Sequence, residues 1–192
     1  MYTHVISVLN YNEECTVPIF FENLDTTTRD YMRGEVNVDF ENASVYYSKF
    51  LKQGLQDTWD NLLLEAVTEH DEAWLESKIE SNQLLVDSYQ RKKPKGGFTV
   101  AKVPYTAPQT LAEGEFNRFY CRGLCARAIE EGKMVQVYRG KEVTNARSAS
   151  EEKIGQVIAP KELLEDLRVN VGVDTALGLP NGPNSGLTIK LV

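Results

Sequence analysis

The spacing of apolar positions shifts along this chain, and each shift predicts an element. In the first forty residues the apolar runs are short. Val5, Ile6, Val8 and Leu9 form one run, and Val17, Ile19, Phe20 and Phe21 form another around Pro18. Val36, Val38 and Phe40 alternate with Asn37 and Asp39, the period of a half-buried strand. A strand-like N-terminus is the expectation. From Ser44 to about Val86 the spacing turns helical. Tyr46, Tyr47, Phe50, Leu51 and Leu55 recur at three and four residues, and Trp59, Leu62, Leu63, Ala66 and Val67 continue the pattern. After Thr68, acidic residues suit a second helix start, with Trp74, Leu75 and Ile79 on its apolar side. Two helices are expected, the second breaking near Ser81 and Asn82.

The stretch RKKPKGG, residues 91–97, combines charge, Pro and Gly and reads either as a boundary or as a hairpin-like loop. FTVAKV, residues 98–103, then reads as a strand ended by Pro104 and Pro108. Thr110 to Gly132 carries the clearest helical pattern. Thr110 and Glu113 have capping-box spacing, and Gly132 stands where a C-terminal capping glycine belongs. Phe116, Phe119, Tyr120, Leu124, Ala128 and Ile129 make one apolar stripe. Gly123 lies beside that stripe, which predicts close approach of another backbone. MVQVYR, residues 134–139, reads as a strand. Ser150 with Glu151, Glu152 and Lys153 suggests one helical turn. Pro160 opens a short helix, KELLEDLR, with Leu163, Leu164 and Leu167 on its buried side. Gly, Pro and Asn crowd residues 178–186, and LTIKLV closes as a strand.

These elements predict an α+β (mixed α/β) fold: a strand-like N-terminus, a helical middle segment, and a small sheet covered by a long helix in the C-terminal half. Residues 1–97 form the N-terminal region and 98–192 a C-terminal α/β domain, or the two make one compact unit. With 192 residues the chain suffices for one good core.

Composition refines this picture. Apolar residues at 42% and charged residues at 26% are ordinary for a folded domain and argue against wholesale disorder. No run approaches the roughly 20 apolar residues of a membrane helix, so no membrane partner is expected. The N-terminus lacks the basic and apolar regions of a signal peptide. Three cysteines, Cys15, Cys121 and Cys125, fit free thiols in a reducing compartment. A zinc site needs about four ligands, and the only two histidines, His4 and His70, sit in other segments from the Cys121–Cys125 pair. The net charge of −7 is uneven: residues 1–97 carry 9 Lys/Arg against 17 Asp/Glu, and 98–192 carry 12 against 11. An acidic first half disfavours nucleic acid there.

Candidate chemistry is sparse. The loop GLPNGPNSG lacks the Lys-Ser/Thr and following helix of a phosphate-binding loop, and reads as tight turns that can form a contact surface. Arg118 and Arg122 lie one helical turn apart, with Arg139 and Arg147 following on strand and loop. Ordinary ion pairs with Glu115, Glu130, Glu131 and the acidic first half are the plain reading of these arginines. The sharper one is an interface built from Arg118, Arg122, Arg139, Arg147, Asn181 and Asn184. VYRG at 137–140 with SAS at 148–150 faintly resembles the opening motifs of ADP-ribosyltransferases, but the spacing is too short. No Ser-His-Asp set is present. No catalytic residue, cofactor or metal is expected.

TLAEGEFNRFYCRGLCARAIEEG, VYRGKEV, ARSASEEKIG and LEDLRVNVGVDTALGLPNGPNSGLTIKL together resemble an uncharacterised tailed-bacteriophage and prophage protein group, over roughly residues 110–192. The resemblance implies a setting, the virion or the infected host cytoplasm, and brings no site residue with it. The expected function is a non-enzymatic structural component of a phage particle, capsid-associated or at the head–tail junction. Its partners would be other virion proteins and further copies of itself, with nucleic acid less favoured. The alternative is an intracellular phage protein that binds and inhibits a host defence or regulatory protein. An enzyme acting on nucleotides through Arg122 and Arg139 is the third reading.

Overall fold

The computed structural model describes residues 17–144, 146–171 and 185–192. Among them are six helices and two small antiparallel sheets, a mixed α+β architecture. The runs at Val5–Leu9 and 178–184 lie outside the described residues.

The first element corrects the expectation of a strand at 36–40. Helix α1 spans Thr26–Glu41, capped by Asp25, whose side chain accepts from the Thr28 amide at 2.9 Å. Its buried positions are Thr28, Met32, Glu35, Val36 and Asp39, spaced as one helical face. Three of those five are polar or charged. The buried face therefore leaves no apolar period in the sequence, and the chance alternation of Val36, Val38 and Phe40 imitates a strand. Val17–Phe21 is extended and joins neither sheet.

Two helices follow, as the middle segment predicts, but the first starts late. Residues 44–55 run as turns and extended chain, fixed where Leu51 bridges Leu85 and the Trp59 indole donates to the Tyr46 carbonyl at 3.1 Å. Gly54 sits at φ +86°, a conformation that stops a helix from running through it. Helix α2 spans Gln56–Glu69 and α3 spans Glu72–Ser81. Asp71 caps α3 by accepting from the Trp74 amide at 2.8 Å.

RKKPKGG is the turn of a hairpin. Strand β1 (Ser88–Lys92) pairs with β2 (Phe98–Lys102), and the Lys93 amide closes the turn on the Gly97 carbonyl at 3.0 Å. Helix α4 (Ala107–Glu131) then crosses the whole molecule. It starts one turn earlier than the Thr110–Glu113 spacing suggests, with Thr106 at the cap. Pro108 falls in the first turn, where a missing N–H costs nothing, so it opens the helix instead of ending the segment before it. Gly132 ends it at φ +65°, and the Lys133 amide reaches back to the Ala128 carbonyl at 2.8 Å.

Sixteen of the 25 residues of α4 are buried, which makes it the central helix rather than a lid on one face. Phe116, Phe119, Tyr120, Leu124 and Ala128 share a core with Met32 and Val36 of α1 and Leu75 and Ile79 of α3. Ile129, expected on the same stripe, is about half exposed.

The second sheet has the order β4-β3-β5, from β3 (Val135–Arg139), β4 (Val157–Ile158) and β5 (Leu187–Leu191). Between them lie α5 (Ser148–Glu151) and α6 (Pro160–Val169), the latter opened by Pro160 as expected. In β3 and β5 the register matches Val135 with Leu191 and Arg139 with Leu187. The outer edge of β5 is covered: its Leu187 carbonyl accepts from Asn117 of α4, and its Leu191 amide donates to Asn23. Segment 17–24 forms a strap along this end. The Phe20 amide donates to the Gly140 carbonyl, and the Tyr138 hydroxyl donates to the Phe20 carbonyl while accepting from the Glu22 amide. The Phe21 ring packs on Phe116 and Tyr120.

Candidate interaction surfaces and the buried arginine network

The Arg-rich segment does not form a surface. Arg122 is fully buried: its Nε donates to Glu35 Oε2 at 3.0 Å, Nη1 to Asp39 Oδ2 at 2.8 Å, and Nη2 to the Glu35 carbonyl at 3.1 Å. Arg118, one turn earlier, binds Glu115 through Nη2 at 2.6 Å and stands 3.5 Å from Asp39. Both guanidinium groups lie over the Phe119 ring, at 4.5 and 4.9 Å from its centre. Arg168 of α6 reaches the same Glu35 carboxylate with Nε at 3.0 Å. Three carboxylates from α1 and α4 thus face three guanidinium groups from α4 and α6, a charge-balanced network.

The charge states follow from that balance. Burial alone would lower the Arg118 pKa, but the Glu115 and Asp39 carboxylates outweigh it and hold it above the ordinary value. The Glu35 hydrogen bond does the same for Arg168 against its partial burial. Buried charges persist only when paired in this way. The network is a tie between helices, and the expectation that Arg118 and Arg122 present guanidinium groups on a surface is corrected.

The other expected interface residues are scattered. Arg139, at the end of β3, donates to the Ser185 carbonyl at 2.6 Å and pairs with Glu151, leaving little of it exposed. Arg147 is exposed just before α5. Asn181 and Asn184 lie outside the described residues. No single site gathers Arg118, Arg122, Arg139 and Arg147. Arg127 is tied to Asp25 at 2.8 Å and Glu131 at 2.6 Å. Glu115, Glu131 and the acidic first half are thus the partners of Arg118, Arg122 and Arg127, as the plain reading has it, while Arg139 pairs with Glu151 and Glu130 instead accepts from the Tyr31 hydroxyl at 2.6 Å.

The remaining reactive groups are packed away. Cys121 and Cys125 are buried free thiols. Burial pushes the Cys121 thiol up to about 12 and raises Cys125 as well, far from the thiolate form a nucleophile needs. His70 stacks on Trp74 at 4.1 Å. Glu72, buried at the start of α3, accepts from the Ile19 amide at 2.8 Å and is raised by burial. Among the described residues no cluster of His, Cys, Asp and Glu could hold a metal ion, and no helix is long and apolar enough to cross a membrane.

Among the described residues, two surfaces group exposed apolar side chains on one face of a sheet. The first is the β1–β2 hairpin. Every residue from Gln90 to Phe98 is exposed, and Phe98 and Val100 each keep 66% of their surface in solvent. Cross-strand partners Lys92 with Phe98 and Gln90 with Val100 put these apolar groups on one face beside a lysine. Tyr89 anchors the base against Phe50, ring centres 4.9 Å apart. The second is the outer face of the three-stranded sheet. Met134 pairs with Val192, and Gln136 with Val157, so Met134, Val157 and Val192 share that face, exposed at 41%, 53% and 51%.

The hairpin's signal in the sequence is the absence of any carboxylate between Asp87 and Glu113, a stretch that holds Arg91, Lys92, Lys93, Lys95 and Lys102. Compared with protein-family models, curated proteins and solved structures, the chain matches none.

Proposed function

We propose that this chain is a structural component of a bacteriophage particle, capsid-associated or at the head–tail junction, acting through protein–protein contacts. The observation that carries the reading is the outer face of the β4-β3-β5 sheet. An antiparallel sheet with one solvated face normally carries polar residues there. Here Met134, Val157 and Val192 share it with the paired Gln136 and Lys190. Grouped exposed apolar residues on a sheet mark a surface that another chain covers. The helices behind the sheet are cross-tied by the Glu35–Arg122–Arg168 network, which gives such a contact a rigid support. The resemblance of residues 110–192 to tailed-phage proteins supplies the setting.

Light scattering over a concentration series tests the reading. The wild type should form assemblies larger than one chain, and Val157→Lys should lower the mass toward a monomer without changing the thermal midpoint. A wild-type monomer at every concentration, together with absence from purified particles, sinks it. Tight capture of one host protein under those conditions would transfer the assignment to an intracellular inhibitor.

A further inference from the structure

We infer that the β1–β2 hairpin is an arm that binds the phosphate backbone of duplex nucleic acid. The argument starts from charge. Between Ser88 and Lys102 the chain places five cations, Arg91, Lys92, Lys93, Lys95 and Lys102, and no carboxylate. None of the five makes an ion pair with a described residue. Arg33, Arg118, Arg122, Arg127, Arg139 and Arg168 are by contrast matched to carboxylates, Arg168 to one as far off in sequence as Glu35. An acidic chain that leaves five cations together, unmatched among the described residues, is presenting them. Removing the five from the net charge of −7 leaves −12 on the rest.

Shape agrees with charge. A two-stranded ribbon is narrow enough to enter the major groove, and five residues per strand at about 3.4 Å each give roughly 17 Å of reach. The base is held by Tyr89 on Phe50 and by the Val103 amide on the Asp87 carbonyl, so the arm is aimed and not merely tethered. Gly96 at φ +91° and Gly97 at φ +76° make the tight tip. Phe98 and Val100 add an apolar face beside Lys92 and Lys102, suited to sugar and base edges.

An acidic protein surface is the competing partner for a basic arm. Protein interfaces are depleted in lysine at their cores, whereas phosphate accepts the solvated point charge of an ammonium readily. Four of these five cations are lysines. The acidic body repels the same backbone, which confines the contact to the arm and makes it strongly dependent on salt.

Fluorescence anisotropy of the full chain with a labelled duplex DNA, from 50 mM to 300 mM salt, tests the inference. Affinity should fall steeply with salt. Lys92→Gln/Lys95→Gln should make the log–log salt slope shallower by about 2 and weaken binding on the order of tens of fold near 0.1 M. Phe98→Ala should weaken binding with the slope unchanged. Lys161→Glu and Lys95→Glu change the net charge equally, but only Lys95→Glu, on the arm, should abolish binding. Matching thermal midpoints show that each variant is folded. Three results overturn the inference: no duplex binding at 50 mM salt, equal salt slopes for wild type and Lys92→Gln/Lys95→Gln, or arm substitutions that abolish self-association instead of DNA binding. The sheet-face substitution Val157→Lys should leave duplex binding intact, so failure of the assembly reading and failure of this one are separable.

Discussion

Gly123 of α4 lies against Met32 of α1 so closely that a β-carbon at 123 would stand 2.7 Å from the Met32 backbone nitrogen and 2.9 Å from its α-carbon. The contact is backbone to backbone, so a flexible side chain cannot yield to relieve it. The two central helices approach as they do because position 123 has no side chain.

Gly123→Ala should therefore destabilise the fold. Alanine gains about 1 kcal/mol over glycine in a helix interior, but overpacking of a rigid core costs about 1–3 kcal/mol, and a backbone clash lies at the upper end. A net loss of about 1–2 kcal/mol is expected from urea denaturation. Gly114→Ala is the control: nothing lies within 4 Å of its would-be β-carbon, so the same change should stabilise by up to about 1 kcal/mol.

Arg122→Met should be much more damaging than its position in a core would suggest for a shape-preserving change. It strands Glu35 and Asp39, both buried, with one cation fewer between them. Breaking a buried pair from one side costs about 3–5 kcal/mol. Arg122→Lys should not rescue it, since one ammonium cannot reproduce three directed N–H contacts. Arg168→Ala, with its side chain partly exposed, should cost only about 1 kcal/mol. Denaturation midpoints of the three variants would order them.

Glu72 gives a pH dependence with a definite sign. Burial, helped by the nearby Asp71 and Glu113 carboxylates, raises its pKa although its own amide and that of Ile19 pull it down. The unfolded chain loses this proton first as pH rises, so the folded state binds more proton in the window between the two values. Its contribution to stability is best below the unfolded value and declines as pH rises through the folded one. Glu72→Gln keeps an acceptor for Ile19 and removes the titration. The stability of the variant relative to wild type should increase as pH rises from acid and then level off. A flat difference across that range would contradict the assignment.

The two helical cysteines should be silent to thiol reagents in the native state. Burial holds Cys121 near 12 and raises Cys125, so neither supplies thiolate at pH 8. In a Cys15→Ser protein, an Ellman titration should count no thiol before denaturation and two after it.

Much of the α/β half was legible because its signals are local. Gly132 and Pro160 mark helix ends by their backbone chemistry, and β3 and β5 carry the β-branched residues Val135, Val137, Thr188 and Ile189. Helix α1 was hidden because its buried face holds Glu35 and Asp39, whose cationic partner lies more than eighty residues away. Periodicity reports burial only when burial is apolar. Strand β1 was hidden for the opposite reason: of its five residues only Tyr89 is partly covered, so no apolar alternation marks it. The arginines misled as site residues for the same cause as α1. A guanidinium group looks identical in sequence whether its carboxylate is supplied by the same chain or by a partner.

The pairing of β3 with β5 has a kinetic side. Arg139 and Leu187 become neighbours only after about 50 further residues have been added, which at cellular translation speeds takes roughly 2–10 s. Throughout that interval Val135 and Val137 belong to a strand whose main partner has not yet been made, while α1 and α4 have already been synthesised. A nascent chain stalled just past β3 would show an open β edge beside α1 and α4, with Glu35 still lacking Arg168 of α6. It is in that window, rather than in the finished protein, that this fold is most exposed to wrong pairing and most in need of a chaperone.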